Sequence, residues 1–171
     1  MKSSSTPSGI TSAASGLLPM RAVVAGKAVI GMLEVLTPVL DLGIRIMIGL
    51  VFFQSGLTKI ASWATTLALF HSEYSVPLLP PALAAYMGTA AELGFPVLLV
   101  LGLGTRGAAF GLFIFNIIAV LSYPGLSDAG LRDHQYWGVL LLVILLHGPG
   151  KLSLDYLLSR HIRRALNRDS M

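Results

Sequence analysis

The chain has 171 residues, with 12 Lys and Arg against 8 Asp and Glu, and it is 54% hydrophobic but only 12% charged. Soluble domains carry about 25% charged residues, and a chain this short has no interior able to hide so much apolar surface from water, so a mean hydropathy of +0.77 makes lipid the sensible solvent. The lack of cysteine excludes disulfides, thiolate-held zinc or iron–sulfur clusters and dithiol redox chemistry within this chain, and no aromatic–basic interleaving points to nucleic acid.

Residues 1–16 are rich in Ser, Thr and Gly with Lys2 as their only base, and they read as a disordered leader. Arg21 and Lys27 interrupt the apolar run that follows, which argues against a cleavable signal. Pro19 to Val35 predicts a surface-lying helix with Lys27 and Glu34 near one face. The first long apolar stretch, Pro38 to Gly56, carries Asp41 and Arg45 in its early half. Ile60 to Pro80 is expected on the outer side. Its Ala61–Phe70 part predicts a short interfacial helix, stopped by Pro77, Pro80 and Pro81.

The second stretch, Pro81 to Gly104, is broken only by Glu92; the third, Arg106 to Tyr123, has no charge past its first residue. The fourth begins near Gln135 and stays uncharged through Leu146 before His147-Gly148-Pro149-Gly150, which makes it the shortest. A helix needs about 20 apolar residues to cross hydrocarbon, and backbone groups in lipid must be paired internally. The fold expected is therefore all-α: a four-transmembrane-helix bundle preceded by a cytoplasmic or interfacial N-terminal helix. Gly107 with Gly111, and Ala84 with Gly88, read as close-packing pairs within the bundle, with homo-oligomer formation as the alternative.

Orientation follows the basic residues of the connections. Lys2, Arg21, Lys27, Arg106, Lys151, Arg160, Arg163, Arg164 and Arg168 fall on one side, and only Lys59 and Arg132 on the other. Nine against two places both termini in the cytoplasm. The Arg160–Arg168 run reads as a membrane-surface anchor.

Glu92 is the most informative residue, because a carboxylate midway along a span costs at least ~2.5 kcal/mol unless protonated, paired or hydrated. Matching the span midpoints makes Arg45 its partner, and Asp41, four residues before Arg45, competes for the guanidinium. A structural charge network of Asp41, Arg45 and Glu92 follows, read either as a pin for helix register or as a site handling protons or substrate. Lys59 reads either as a snorkelling interfacial anchor or, with Gln54, as a contact for an anionic or quinone head group. Arg45, Glu92 and Lys59 are thus the catalytic candidates. His71 and His134, near Glu73, Asp128 and Asp133, are weak metal candidates whose spacing matches no ligand motif. No intrinsic cofactor is expected, and quinone is the one candidate ligand. Nucleophile, phosphate-loop and dinucleotide patterns are missing.

Three blocks carry a family likeness: Leu42-Gly43-Ile44-Arg45 with Gly49, Phe52, Gly56 and Lys59; Glu92-Leu93-Gly94 with Leu101-Gly102-Leu103 and Thr105-Arg106; and Gly148-Pro149-Gly150 leading to Ser153-Leu154-Asp155. In this order across apolar spans, the chain resembles the DoxX family. The resemblance covers about residues 40–158. It implies a small four-helix protein of the bacterial inner membrane, with relatives linked to thiosulfate:quinone oxidoreduction and to membrane redox or metal-stress assemblies. The domains expected are 1–37, the leader and interfacial helix; 38–158, a DoxX-like four-helix membrane domain; and 159–171, a basic cytoplasmic tail. The function expected is an accessory subunit of a membrane redox system, partnered by the lipid bilayer and by a protein of that system. The alternative is a non-enzymatic scaffold or a small-solute or metal-stress permease component.

Overall fold

The apolar runs fold as six helices, with no strand among the described residues. The computed structural model describes residues 12–169, with side chains for 23–166. The helices are α1 Ser12–Ala61, α2 Trp63–Ser72, α3 Pro81–Leu101, α4 Thr105–Ser122, α5 Asp128–His147 and α6 Leu154–Asp169. Most of the leader expected over residues 1–16 lies outside the described residues, but from Ser12 onward the chain is helical.

Among the described residues, three helical stretches are long and apolar enough to cross a membrane: Val23–Ala61, Pro81–Leu101 and Thr105–Ser122. One expectation is corrected here. The N-terminal helix and the first span are not separate elements, because helix α1 runs through Pro38. Proline withholds one N–H from the carbonyl four residues back, and helical pairing resumes on both sides of that single gap. The fourth apolar run does lie on a helix, α5, but Asp128, Arg132 and Asp133 fill its first two turns and keep it out of the apolar class.

The chain divides into two units, Met1–Thr37 and Pro38–Met171. In the first, Val23, Val24, Val29, Ile30, Met32 and Leu33 are all more than half exposed, and Thr37 Oγ1 donates to the Leu33 carbonyl at 2.8 Å. The second unit holds the core. Ile48 and Phe52 of α1, Leu99 of α3, Ala108, Ala109 and Leu112 of α4, and Leu141 and Ile144 of α5 form one buried cluster. The Phe52 ring meets Phe115 and Trp137 edge-on, with centroids 6.2 and 5.9 Å apart. Large residues such as Leu50, Met87, Phe110 and Val139 stay about half exposed, as expected when lipid rather than water surrounds the helices.

Small residues let helices close up: Ala84 and Gly88 lie against Phe70, and Gly88 also lies by Phe115, while of the Gly107–Gly111 pair only Gly111 meets a neighbour. A Cβ on Gly111 would lie 2.6 Å from the Phe95 ring, and one on Gly56 would lie 2.8 Å from Leu93, while Gly107 has nothing within 4 Å. Helix α2 lies against the start of α3 through Phe70, Ala84 and Ala85. Thr66 of α2 donates its hydroxyl to the Lys59 carbonyl at 2.9 Å, pairing a group that the end of α1 would leave open.

The α3–α4 turn is capped from far along the chain. Gly102 and Gly104 have φ of 69° and 57°, the left-handed region that glycine enters freely. The Asp155 carboxylate then accepts from Gly104 N at 2.8 Å, Thr105 N at 2.9 Å and Thr105 Oγ1 at 3.0 Å. An anion at a helix start is favourable. Partial burial alone would raise the Asp155 carboxyl, but these hydrogen bonds, with the charge of Arg45, outweigh it and hold the group below the usual carboxylate range. By linkage, this clasp contributes stability above the ordinary carboxylate value and loses it as pH falls through the lowered one.

Candidate functional site

Glu92 sits on α3 one turn before Pro96, which lies inside the helix and is buried. Proline has no N–H to offer the carbonyl four residues earlier, so Glu92 stands where the helical ladder has a gap. Its side chain is 4% exposed, forms an ion pair with Lys59 Nζ and accepts from Ser55 Oγ at 3.0 Å. Ser55 and Lys59 are one turn apart near the end of α1, so both point at Glu92.

The partner expected from the midpoints, Arg45, is elsewhere. α1 and α3 run antiparallel with Gly56 beside Glu92 and Leu93, and with Gly49 beside Pro96 and Val100. This register brings Arg45 to Gly102, ten residues and about 15 Å along α3 from Glu92. The midpoint argument misplaced the contact because α1 continues to Ala61 rather than ending near Gly56. Arg45 is 1% exposed. It donates to the Leu152 carbonyl and, at 3.4 Å, to the Asp41 carbonyl, beside the Asp155 clasp. The Asp41 carboxylate lies 3.7 Å from His147 Nε2 instead of joining Glu92. The expected single network is therefore two clusters at different levels of the bundle.

Lys59, Ser55 and Glu92 form one end of a cavity of about 460 Å³. Its walls are apolar, from Phe70, Met87, Ile114, Phe115 and Ile118, with Ala84, Gly88, Ala91 and Ala119 leaving the room. Ser122, Tyr123, Tyr74 and His134 supply further polar groups. Ser122 Oγ is buried without a hydrogen-bond partner, while the Ser122 carbonyl accepts from Ser75 N at 2.8 Å. An orphaned hydroxyl on a cavity wall is a polar group without its complement. Asn116 Nδ2 donates to the His134 carbonyl at 2.9 Å, so Asn116 Oδ1 receives the His134 Nδ1 proton at 2.7 Å and leaves Nε2 as the ring's acceptor. Burial, with neighbouring Tyr123, Glu92 and Glu73, raises the Tyr74 phenol above the usual tyrosine range, so it stays a donor.

A second pocket of about 250 Å³ shares Ser55, Lys59, Phe70 and Tyr74 with the cavity and is otherwise lined by Thr58, Ser62, Thr65, Thr66 and Leu69. Lys59 thus stands between an apolar space and a hydroxyl-lined one. Gln54 is exposed and lines neither. His71 is exposed as well, and among the described residues no group of three or more His, Asp or Glu gathers as a metal cluster. Tyr74, Ser122 and Tyr123 had no motif to mark them. Ser55, one helical turn before Lys59, was the one readable signal.

The DoxX family model matches residues 40–124, covering α1 from Leu40 and all of α2, α3 and α4. A Haemophilus influenzae protein described as uncharacterized is 33% identical over 118 residues, covering 64% of this chain and 76% of that protein. The chain belongs to the DoxX family. The first two sequence blocks, including Arg45, Lys59 and Glu92, fall inside the matched region. The block ending in Asp155 lies beyond it, although the structure ties Asp155 back to the DoxX region at Gly104 and Thr105. No solved structure matches the chain.

Proposed function

We propose that this DoxX protein is an accessory subunit of a membrane redox system and that its cavity holds a quinone-type ligand. The observation that supports this best is a large apolar cavity with an ion pair at one end and an unpartnered buried hydroxyl, Ser122, in its wall. The residues present fit such a ligand. Apolar walls take the ring and tail, while Lys59, Ser122 and Tyr74 can donate to carbonyl oxygens and His134 Nε2 can accept from a hydroxyl. A bound quinone supplies two-electron, two-proton redox chemistry. The chain's own residues orient it and keep water from it.

The test uses the chain's two tryptophans. Trp137 packs on His134 at 4.8 Å between ring centroids, so Trp63→Phe leaves a single reporter beside the cavity. Titrating this protein in nanodiscs with a short-chain benzoquinone should quench Trp137 saturably. Ser122→Ala should weaken binding about fivefold, the value of one hydrogen bond, with folding unchanged because that hydroxyl has no protein partner. Ala119→Phe should fill the cavity and abolish binding. Quenching that never saturates, or that ignores both substitutions, would refute the ligand assignment. A partner protein recovered intact from the membrane with no quinone in its lipid extract would favour the scaffold reading.

The same reading takes α5 as a fourth span of the inner membrane, with both termini cytoplasmic. The support is the nine-to-two distribution of basic residues. Reporter fusions after Arg106 should report cytoplasm and fusions after Glu73 or Ser127 the opposite side. An outer signal from the C-terminal fusion would remove α5 from the spans.

A further inference from the structure

Helix α6 has two faces. Leu154, Leu157, Leu158, Ile162 and Leu166 recur at helical spacing, and each is 42–64% exposed. On the other side of the helix lie Arg160, Arg163 and Arg164, also exposed, with Arg164 bordering the apolar stripe beside Leu157. In a helix held in water by the protein alone, such a stripe would find a protein surface to cover it. Among the described residues of the second unit, none buries this stripe.

The first turn of α6 fixes where that stripe begins. Asp155 N donates to the Gly102 carbonyl at 2.8 Å, and the Asp155 carboxylate caps the start of α4. Both α3 and α4 are long and apolar enough to cross a membrane. The stripe therefore starts at the end of two spanning helices, at the level where hydrocarbon gives way to headgroups, and arginines follow it. Apolar surface on one face and guanidinium groups on the other complement an acyl boundary and an anionic headgroup layer.

We infer that α6 is an anionic-phospholipid binding element, lying in the headgroup layer with its leucine face in the acyl boundary and its arginines gathering anionic lipids. This extends the membrane-surface anchor read from the Arg160–Arg168 run back to Leu154 and gives it a lipid-contacting leucine face. It is independent of what fills the cavity.

The chain's lack of cysteine makes the test direct. Leu158→Cys, labelled with an environment-sensitive fluorophore, is placed in nanodiscs of mixed phosphatidylcholine and phosphatidylglycerol, with bromine on the acyl chains of one lipid or the other. Quenching by both brominated lipids is expected, and at equal mole fraction about tenfold more effectively by brominated phosphatidylglycerol, as expected for several basic residues near one surface. In the Arg160→Gln, Arg163→Gln, Arg164→Gln background the two lipids should quench equally. A label shielded from water yet quenched by neither lipid would mean that protein covers the face, and an aqueous label would mean that nothing does. Either result overturns the inference. Equal quenching in the parent would remove the anionic selection and overturn it too.

Discussion

Lys59→Met is expected to lower the thermal unfolding midpoint in detergent by about 10 °C, since breaking a buried pair costs about 3–5 kcal/mol and each kcal/mol is worth roughly 2–4 °C at this size. Glu92→Gln should cost clearly less. The asymmetry follows from position: the Lys59 side chain is 18% exposed and that of Glu92 4%. An orphaned ammonium can swing along its flexible stem toward water, whereas an orphaned Glu92 keeps only Ser55. Lys59→Met combined with Glu92→Leu should recover much of the loss, because removing both charges leaves none unpaired. Arg45→Leu should show no coupling to Glu92→Gln, as expected for residues that share no partner. Equal losses from the two single variants, or coupling between Arg45 and Glu92, would sink this assignment.

Two glycines of one turn provide the second large effect. A Cβ on Gly102 would lie 2.5 Å from Ser153 Cβ and 2.8 Å from its Cα, and would run into the Arg45 guanidinium. Gly102 also has a positive φ, as does Gly104, but at Gly104 nothing stands within 4 Å. Gly104→Ala therefore carries only the left-handed penalty, about 1–2 kcal/mol. Gly102→Ala adds an overpacking term of about 1–3 kcal/mol at the point where α3, Arg45 and the Ser153–Asp155 segment meet. Membrane accumulation of Gly102→Ala should fall to a small fraction of the parent, while Gly104→Ala stays within about a factor of two or three. Comparable accumulation of the two would mean that Arg45 and Ser153 do not close on Gly102.

The same contrast explains what could be read from the residues. Apolar runs marked the helices well, since lipid leaves the chain few other forms, and Pro80 and Pro81 marked the start of α3, although α1 passes through Pro38. Glu92 stood out for the same reason. Its partner did not, because pairing across helices depends on where each helix ends. Tryptophan at 63 made the first outer connection look interfacial without showing that α1 reaches Ala61 and carries Lys59 inward. Ser122 carries no signal at all in the sequence, since a serine becomes informative only when the fold buries it without a partner. Asp155 belonged to a recognisable block, yet its role as a cap spans 50 residues of chain, beyond any local pattern.

The missing N–H of Pro96 has a mechanical side. A helix resists bending because each turn is tied to the next, and α3 lacks one of those ties at Glu92, the residue that holds the polar end of the cavity. The two halves of α3 can change their angle there without giving up a hydrogen bond that was ever made. Beyond the hinge, the end of the helix is fastened at Gly102, whose carbonyl accepts from Asp155 N and against which Arg45 and Ser153 close; on the other side it carries Ala84, Gly88 and Ala91 of the cavity wall. If the cavity takes the proposed ligand, a bulkier occupant would press on the half of α3 that carries this wall, while the far end of the helix stays fixed.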